Sequence, residues 1–436
     1  MARELFASRL GFLFATIGSA VGVGNIWRFP SLVGQNGGGA FLLAYLIIVL
    51  GSAIPLLILE LAVGRKFGTS AIGAFVNAGK RYRWLGILIV LMVGGVLSYY
   101  LVIIAWGLGF LARSAAGQAL DFAQFSKGWD VLIFFIVSLL LVVTIVAVGV
   151  KAGTERASVF LMPLLFLLII AMAAYTMTLA GRNDGLSFYL KPNLELLAHG
   201  PAWSRALGQA FFSVGVGMGV MITYGSYVAR TTDLHTSALI VVFADTACAV
   251  LVGLMIFPMV FTFGLQPQAG ATLAFQTLPV AFDMLPASRL LAAVFFLLFS
   301  IAGLTSAVSM LEAVSAPLID GWKWPRWRAV ATAGMLVLLA GLPSALSYTQ
   351  VDLRLGAGKF LDVIDDNLGT LGVPIGALVT SLVMSWAIDR SGLIAEINQS
   401  SRIPVGKLVV LLNRYIVPAV LVATIVFMLL RRFVWT

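Results

Sequence analysis

The stretch Gly18-Ser-Ala-Val-Gly-Val-Gly-Asn-Ile-Trp-Arg-Phe-Pro30 constrains this chain more than any other. It lies inside an apolar run long enough to be one membrane helix. Three glycines in seven residues oppose a continuous helix, because each interior Gly costs about 1 kcal/mol relative to Ala. In hydrocarbon, non-helical backbone survives only where it is buried in protein or lines a polar cavity. A break here frees carbonyls that can hold a cation. It also frees amides, at the start of the second half-helix, that can hold an anion. Asn25 and Arg28 follow within a turn, and both are costly inside a bilayer. Taken alone, the stretch also suits a kinked packing helix.

The rest of the chain supplies the context. Its 436 residues are 61% hydrophobic and only 11% charged, against roughly 25% charged in a soluble domain. The formal charge of +10 is spread over short loops between apolar runs. It reads as a topology signal rather than a nucleic-acid surface. Eleven spans are expected, near 10–34, 40–63, 84–112, 131–150, 156–180, 203–229, 236–264, 289–318, 327–347, 358–388 and 408–430. Arg65, Lys66, Lys80, Arg81 and Arg83 follow segment 2, and Lys323, Arg326 and Arg328 follow segment 8. Both clusters fall on the side of the N-terminus, which the positive-inside rule makes cytoplasmic. An odd number of spans puts the C-terminus outside, where Arg431 and Arg432 fit less well. The lone Cys248 excludes an internal disulfide. His199 and His235 read as solvated loop residues rather than metal ligands. The N-terminal run is too long for a cleavable signal. The loop 265–288, with Pro267, Pro279 and Pro286, is expected to be a partly helical outer cap.

Segment 6 repeats the opening feature as Phe211-Phe-Ser-Val-Gly-Val-Gly-Met-Gly219. Segments 1 and 6 each begin a set of five, and five is odd, so the sets lie inverted in the membrane. Paired Gly-interrupted spans in two inverted halves point to the binding site of a secondary transporter. The expected architecture is an all-α membrane protein with eleven transmembrane helices, a 5+5 inverted repeat and discontinuous helices 1 and 6. Its parts are residues 1–180, residues 202–388 and an extra helix in 404–436.

Arg9-Leu-Gly, the stretch 18–30 and Asn36-Gly-Gly-Gly-Ala-Phe41 resemble the neurotransmitter:sodium symporter family. So do Tyr99-Tyr100, the segment-6 glycines, Ala302-Gly-Leu-Thr-Ser306 and Asp365. Its members couple sodium entry to uptake of amino acids or derived amines. The resemblance implies one sodium site from the Gly18, Val21 and Ala302 carbonyls with the Thr305 and Ser306 hydroxyls. These last three share one helix face at i, i+3, i+4, although membrane hydroxyls also bond back to their own helix. It implies a second sodium site from the Ala20 carbonyl, Asn25, Ser213 and Asp245. The substrate carboxylate would meet amides near Gly22 and Gly24 and the hydroxyl of Tyr100. Its ammonium would meet carbonyls of Ala20, Phe212 and Ser213. The family's amine carriers have an Asp where Gly22 stands, so an intact amino acid is expected.

Val96, Phe212, Gly215, Met218, Ser306 and Met310 should line the side-chain pocket. Their mostly apolar character and the flexible Met218 suggest a large aliphatic or aromatic L-amino acid. Arg28 and Asp365 are the expected outer gate, and Arg3 with Asp320 the inner one. Phe6 stands where the family usually has the Trp that anchors the inner gate. Asp245 replaces the family's usual Asn. A built-in carboxylate removes the need for chloride, although a protonated Asp bonded to a neighbouring helix, or to Thr246 or His235, is the other reading. Glu312 suits either a bond to free amides near the segment-6 break or proton linkage. The expected function is sodium-coupled symport in the plasma membrane by alternating access, with two sodium ions and no enzymatic chemistry. A different small amino acid, a non-transporting sensor and a channel are the alternatives. The oligomeric state, monomer or homodimer, is left open.

Overall fold

The computed structural model describes residues 4–197, 200–265 and 273–433. Among them, nine helices are long and apolar enough to cross a membrane. A further pair, Arg9–Ala20 and Gly24–Gln35, is bent by 47° across a short break. The protein is an all-α membrane protein, and segment 1 is discontinuous where its glycines require it. Segments 2 to 5 are Gly39–Phe67, Lys80–Ala115, Asp130–Val148 and Val150–Thr176. Segment 6 forms two shorter helices, Gly200–Val214 and Val220–Gly225. Segments 7 to 11 are Leu234–Thr262, Ser288–Trp322, Arg326–Leu346, Phe360–Trp386 and Gly406–Leu430. This pattern is consistent with eleven crossings, although neither half of segment 6 spans alone. Segment 5 starts six residues earlier than expected, because a wide helical turn over Val150–Glu155 continues into it.

The break in segment 6 has a local cause. Gly215, Gly217 and Gly219 have φ of 74°, 82° and 69°, a left-handed region that side chains bearing a Cβ rarely enter. The chain therefore cannot continue as a right-handed helix through 215–219. Beyond the break, segment 6 lies directly against segment 2. A Cβ on Gly64 would stand 2.0 Å from the Ile222 carbonyl oxygen, and one on Gly225 would stand 2.4 Å from that of Leu61. Segments 3 and 8 pack along each other at the centre, and Arg9–Ala20 packs on segments 5, 7 and 8. Both breaks thus fall at the middle of the bundle.

The described part of the loop after segment 7 is helical over Leu273–Thr277 and Leu278–Asp283, as expected of a cap. Its Phe275 packs against Trp106, Phe110 and Phe122. Pro267 and His199 lie outside the described residues.

The N-terminal end of the bundle is closed by the chain before segment 1. Phe6 is buried against Phe12, Tyr224 and Tyr227, and its amide donates to the Tyr227 carbonyl at 3.0 Å. So Phe6 occupies an aromatic anchor despite lacking the expected indole. The Glu4 carboxylate accepts from the Val150 and Lys151 amides, both at 3.0 Å. In return Glu155 accepts from the Ala7 amide at 2.6 Å and the Ser8 hydroxyl at 2.9 Å.

Candidate ion and substrate site

Asp245 is fully buried. Its Oδ1 accepts from Asn25 Nδ2 at 2.7 Å, and both oxygens accept from the Ser213 hydroxyl, at 3.0 and 2.8 Å. Tyr45 reaches Oδ2 at 3.4 Å. Asn25 also donates to Ser213 at 3.1 Å, and its Oδ1 accepts from the Gly22 amide at 3.1 Å. The structure therefore joins three of the expected ligands, from segments 1, 6 and 7, into one network. Every side chain in it except Asp245 is neutral. His235 makes none of these bonds; it stands at the start of segment 7, two residues from the capping residue Asp233. Partial burial pushes the Asp233 carboxyl up, but bonds from the Thr236 amide, the Thr236 hydroxyl and the Arg402 amide outweigh this and hold it below the usual range.

The other expected cation site lies between segments 1 and 8. A Cβ on Gly18 would meet Thr305 Cβ at 3.2 Å, so the two residues face each other. Ser306 donates to the Ser19 carbonyl at 3.1 Å. Thr305 instead donates back to Ile301 and Ala302 at 3.0 and 3.1 Å. Such a back-bond spends the hydroxyl's hydrogen and leaves oxygen lone pairs free.

Tyr100 stands at the break itself. The Val23 amide donates to its hydroxyl oxygen at 2.8 Å, and a Cβ on Gly22 would lie 2.6 Å from that oxygen and 3.1 Å from Ser306 Oγ. A side chain at position 22 would thus fill the space that the expected carboxylate needs. Phe212 lies 3.1 Å from a Cβ placed on Gly24. Val96, Met218 and Met310 are buried, and a Cβ on Gly215 would meet the Met218 methyl at 3.9 Å.

At the end remote from the N-terminus a cavity of about 550 Å³ is walled by Trp27, Arg28, Arg205, Asp365, Asp366 and Arg432, among others. Arg28 and Asp365 share this cavity but form no direct ion pair. Arg28 donates to the Thr370 hydroxyl at 2.7 Å and lies over the Phe212 ring, 4.8 Å from its centre. The expected gate residues are thus placed together with the mouth between them unbridged. Arg3 lies outside the described residues. Asp320 accepts from the Ser70 amide at 2.7 Å.

Glu312 does not reach the segment-6 break. It is bonded by the Tyr227 hydroxyl at 2.6 Å and paired with Arg326. The carboxyl that holds the break is Glu60, which accepts from the Gly217 amide at 2.6 Å. Sequence reasoning passed over Glu60, although it is an acid within Leu-Leu-Ile-Leu-Glu-Leu-Ala, the very signal that singled out Asp245. Tyr45 and Gln209, whose side chain donates to the Gly24 carbonyl at 3.1 Å, were also missed. Neither carries a charge that would mark it in sequence. Glu60→Ala leaves the buried Gly217 amide unpaired, which costs about 1–3 kcal/mol, whereas Glu60→Gln retains an acceptor. Thermal unfolding in detergent should show a clear loss for the alanine variant and a smaller one for the glutamine. Equal losses would mean that the hydrogen bond to the break is not what Glu60 contributes.

A bundle with two broken segments meeting over buried oxygens is the architecture of an ion-coupled membrane transporter. The sequence matches the Sodium:neurotransmitter symporter family over residues 3–132 and 126–433. It is 38% identical over 409 residues to YhdH, an uncharacterized sodium-dependent transporter of Bacillus subtilis, covering 91% of this chain and 90% of that one. It is 34% identical over 434 residues to MJ1319, an uncharacterized sodium-dependent transporter of Methanocaldococcus jannaschii, covering 93% and 86%. Among solved structures, that of MhsT in complex with L-phenylalanine superposes with a TM-score of 0.90 at 36% identity, covering 98% of this chain and 99% of that one. The chain belongs to the sodium:neurotransmitter symporter family. It is a sodium-dependent transporter and not an enzyme.

Proposed function

We propose that this transporter couples sodium entry to import of a large aliphatic or aromatic L-amino acid by alternating access. The observation that carries the reading is the meeting of both helix breaks with Asn25, Ser213, Asp245, Tyr100 and Ser306. That arrangement offers oxygens for cations beside backbone amides of the break, which here donate to Asn25 and Tyr100 and which a carboxylate could claim. Gly22 supports an intact amino acid, since it leaves room for a carboxylate and brings none of its own. MhsT, crystallised with L-phenylalanine, supports the apolar preference.

Two sodium ions would be carried. One would lie among the carbonyls of Gly18, Val21 and Ala302 with Thr305 and Ser306, the other among the Ala20 carbonyl, Asn25, Ser213 and Asp245. Residues 1–180 and 202–388 would form the inverted halves. The N-terminus would be cytoplasmic and the C-terminus outside in the plasma membrane, with Arg28 and Asp365 closing the outer mouth and Arg3 and Asp320 the inner one. The test is uptake into proteoliposomes under an inward sodium gradient, with each of the twenty amino acids as competitor. Phenylalanine, tryptophan, leucine or isoleucine should compete best, and uptake should stop when choline replaces sodium. Best competition by a charged amino acid, or uptake indifferent to sodium, would overturn the reading.

Pocket volume gives a sharper check. Met218→Phe with Gly215→Ser fills space beneath a large side chain, and Gly215 has positive φ. Tryptophan binding should weaken by about tenfold more than alanine or valine binding, the lower end of what pocket-size discrimination supplies. Equal weakening of all of them would indicate damage to the segment-6 backbone instead.

A further inference from the structure

Three buried serines stitch the broken end of segment 1 to segment 8. The Ser19 hydroxyl donates to Ser309 Oγ at 2.8 Å. Ser309 donates to the Ser306 carbonyl at 2.7 Å. Ser306 donates to the Ser19 carbonyl at 3.1 Å. The three bonds form a closed ring that crosses the two segments twice. Only Ser309→Ser306 is the ordinary back-bond of a serine to its own helix. The other two run between residues almost three hundred positions apart in the chain.

We infer that Ser19 and Ser309 are positioning residues that set the affinity of the cation site between segments 1 and 8. This rests on the proposed role of Thr305 and Ser306 at that site. Ser19 lies between Gly18 and Val21, the residues whose carbonyls are proposed as ligands from segment 1. Ser309 lies one turn beyond Thr305 and Ser306, which face it from segment 8. A cation held from two helices is bound only as well as the gap between them is fixed. A ring that joins the helices beside the site fixes that gap. The ring also fixes one ligand directly. A hydroxyl has one hydrogen and two lone pairs. With the Ser306 hydrogen committed to the Ser19 carbonyl, its lone pairs remain for a cation. Ser19 and Ser309 act on this bond through position: their bond holds the Ser19 carbonyl opposite Ser306, and a wider gap would let Ser306 turn its hydrogen toward the site, where it would repel a cation.

The test uses sodium itself as the probe, so it does not depend on the substrate's identity. Sodium-dependent protection against thermal unfolding is titrated in detergent, with choline keeping ionic strength constant. Ser19→Ala, Ser309→Ala and the double variant are compared with the parent. Interhelical hydrogen bonds in membrane proteins are individually modest, so each single variant should raise the half-saturating sodium concentration by about three- to tenfold. Either change opens the ring, so the double variant should be within about twofold of the worse single one. The sodium-free unfolding temperature should move little. Unchanged half-saturation in both single variants, effects that multiply in the double variant, or a fall in sodium-free stability with unchanged half-saturation would each overturn the positioning role. Thr305→Ala with Ser306→Ala is run beside them. The site at Asp245 should leave that variant a residual sodium response, but a half-saturating concentration equal to the parent's would overturn the cation site, independently of the ring.

Discussion

Replacing Thr305 and Ser306 together by alanine should abolish sodium-stimulated substrate binding in a protein that still folds. The two hydroxyls lie on the face of segment 8 turned to segment 1, where Gly18 leaves no side chain in the way. Their own hydrogens are already placed, on Ile301 and Ala302 for Thr305 and on Ser19 for Ser306, so what each offers the space between the helices is oxygen. Sodium is a hard cation whose preferred ligands are oxygens, and alanine removes two of the five expected at this site. Contacts to a charged group contribute about 1.5–3 kcal/mol each. Two together correspond to a loss of affinity beyond about 100-fold. The fold should tolerate the change, because the alanines remove only small hydroxyl and methyl groups and strand no buried backbone group apart from the Ser19 carbonyl. The measurement is binding of labelled substrate against sodium concentration in purified protein. A wild-type sodium dependence in the double variant would place the site elsewhere.

The sequence made some of this visible for physical reasons that can be named. Glycines clustered in an apolar span have few uses, so both breaks were legible, including the discontinuity that makes segment 6 too short to span in either half. Asp245 was legible because an acid in hydrocarbon has to be accounted for. What the sequence concealed depends on rotamers and on three-dimensional partners. Glu312 and Glu60 are both buried acids in apolar segments, and nothing in their neighbourhoods tells which one reaches the segment-6 break. Only the packing of segment 2 against segment 6, allowed by Gly64 and Gly225, assigns that bond to Glu60, while Arg326 claims Glu312. Arg28 and Asp365 line one cavity, but whether Arg28 touches Asp365 or Thr370 is a choice of side-chain rotamer that no spacing encodes. The serine ring was hidden for the same reason, since Ser19 and Ser309 look like ordinary small residues at helix contacts.

The Asp245→Asn variant should lose most of its transport in chloride-free buffer, while the parent protein works there at full rate. Asp245 is surrounded by donors from Asn25, Ser213 and Tyr45, and no cationic side chain in the described network balances it. In the proposed cycle its counter-charge would come from the transported sodium. Two sodium ions with a zwitterion leave an excess of positive charge, and in a low-dielectric interior that excess is costly without a nearby anion. Asparagine keeps the shape and removes the anion. It also turns one acceptor into a donor facing Asn25, Ser213 and Tyr45, so the network itself is mismatched. A loss of at least tenfold in uptake is expected, with gluconate replacing chloride throughout. Adding chloride back should recover part of the activity if the ion can occupy the space the carboxylate held. Strong chloride dependence of the parent protein, or full chloride-free activity of Asp245→Asn, would remove Asp245 from this role. If the variant is inactive in both buffers but still protected by sodium against unfolding, the lost function belongs to the hydrogen-bond network rather than to the charge.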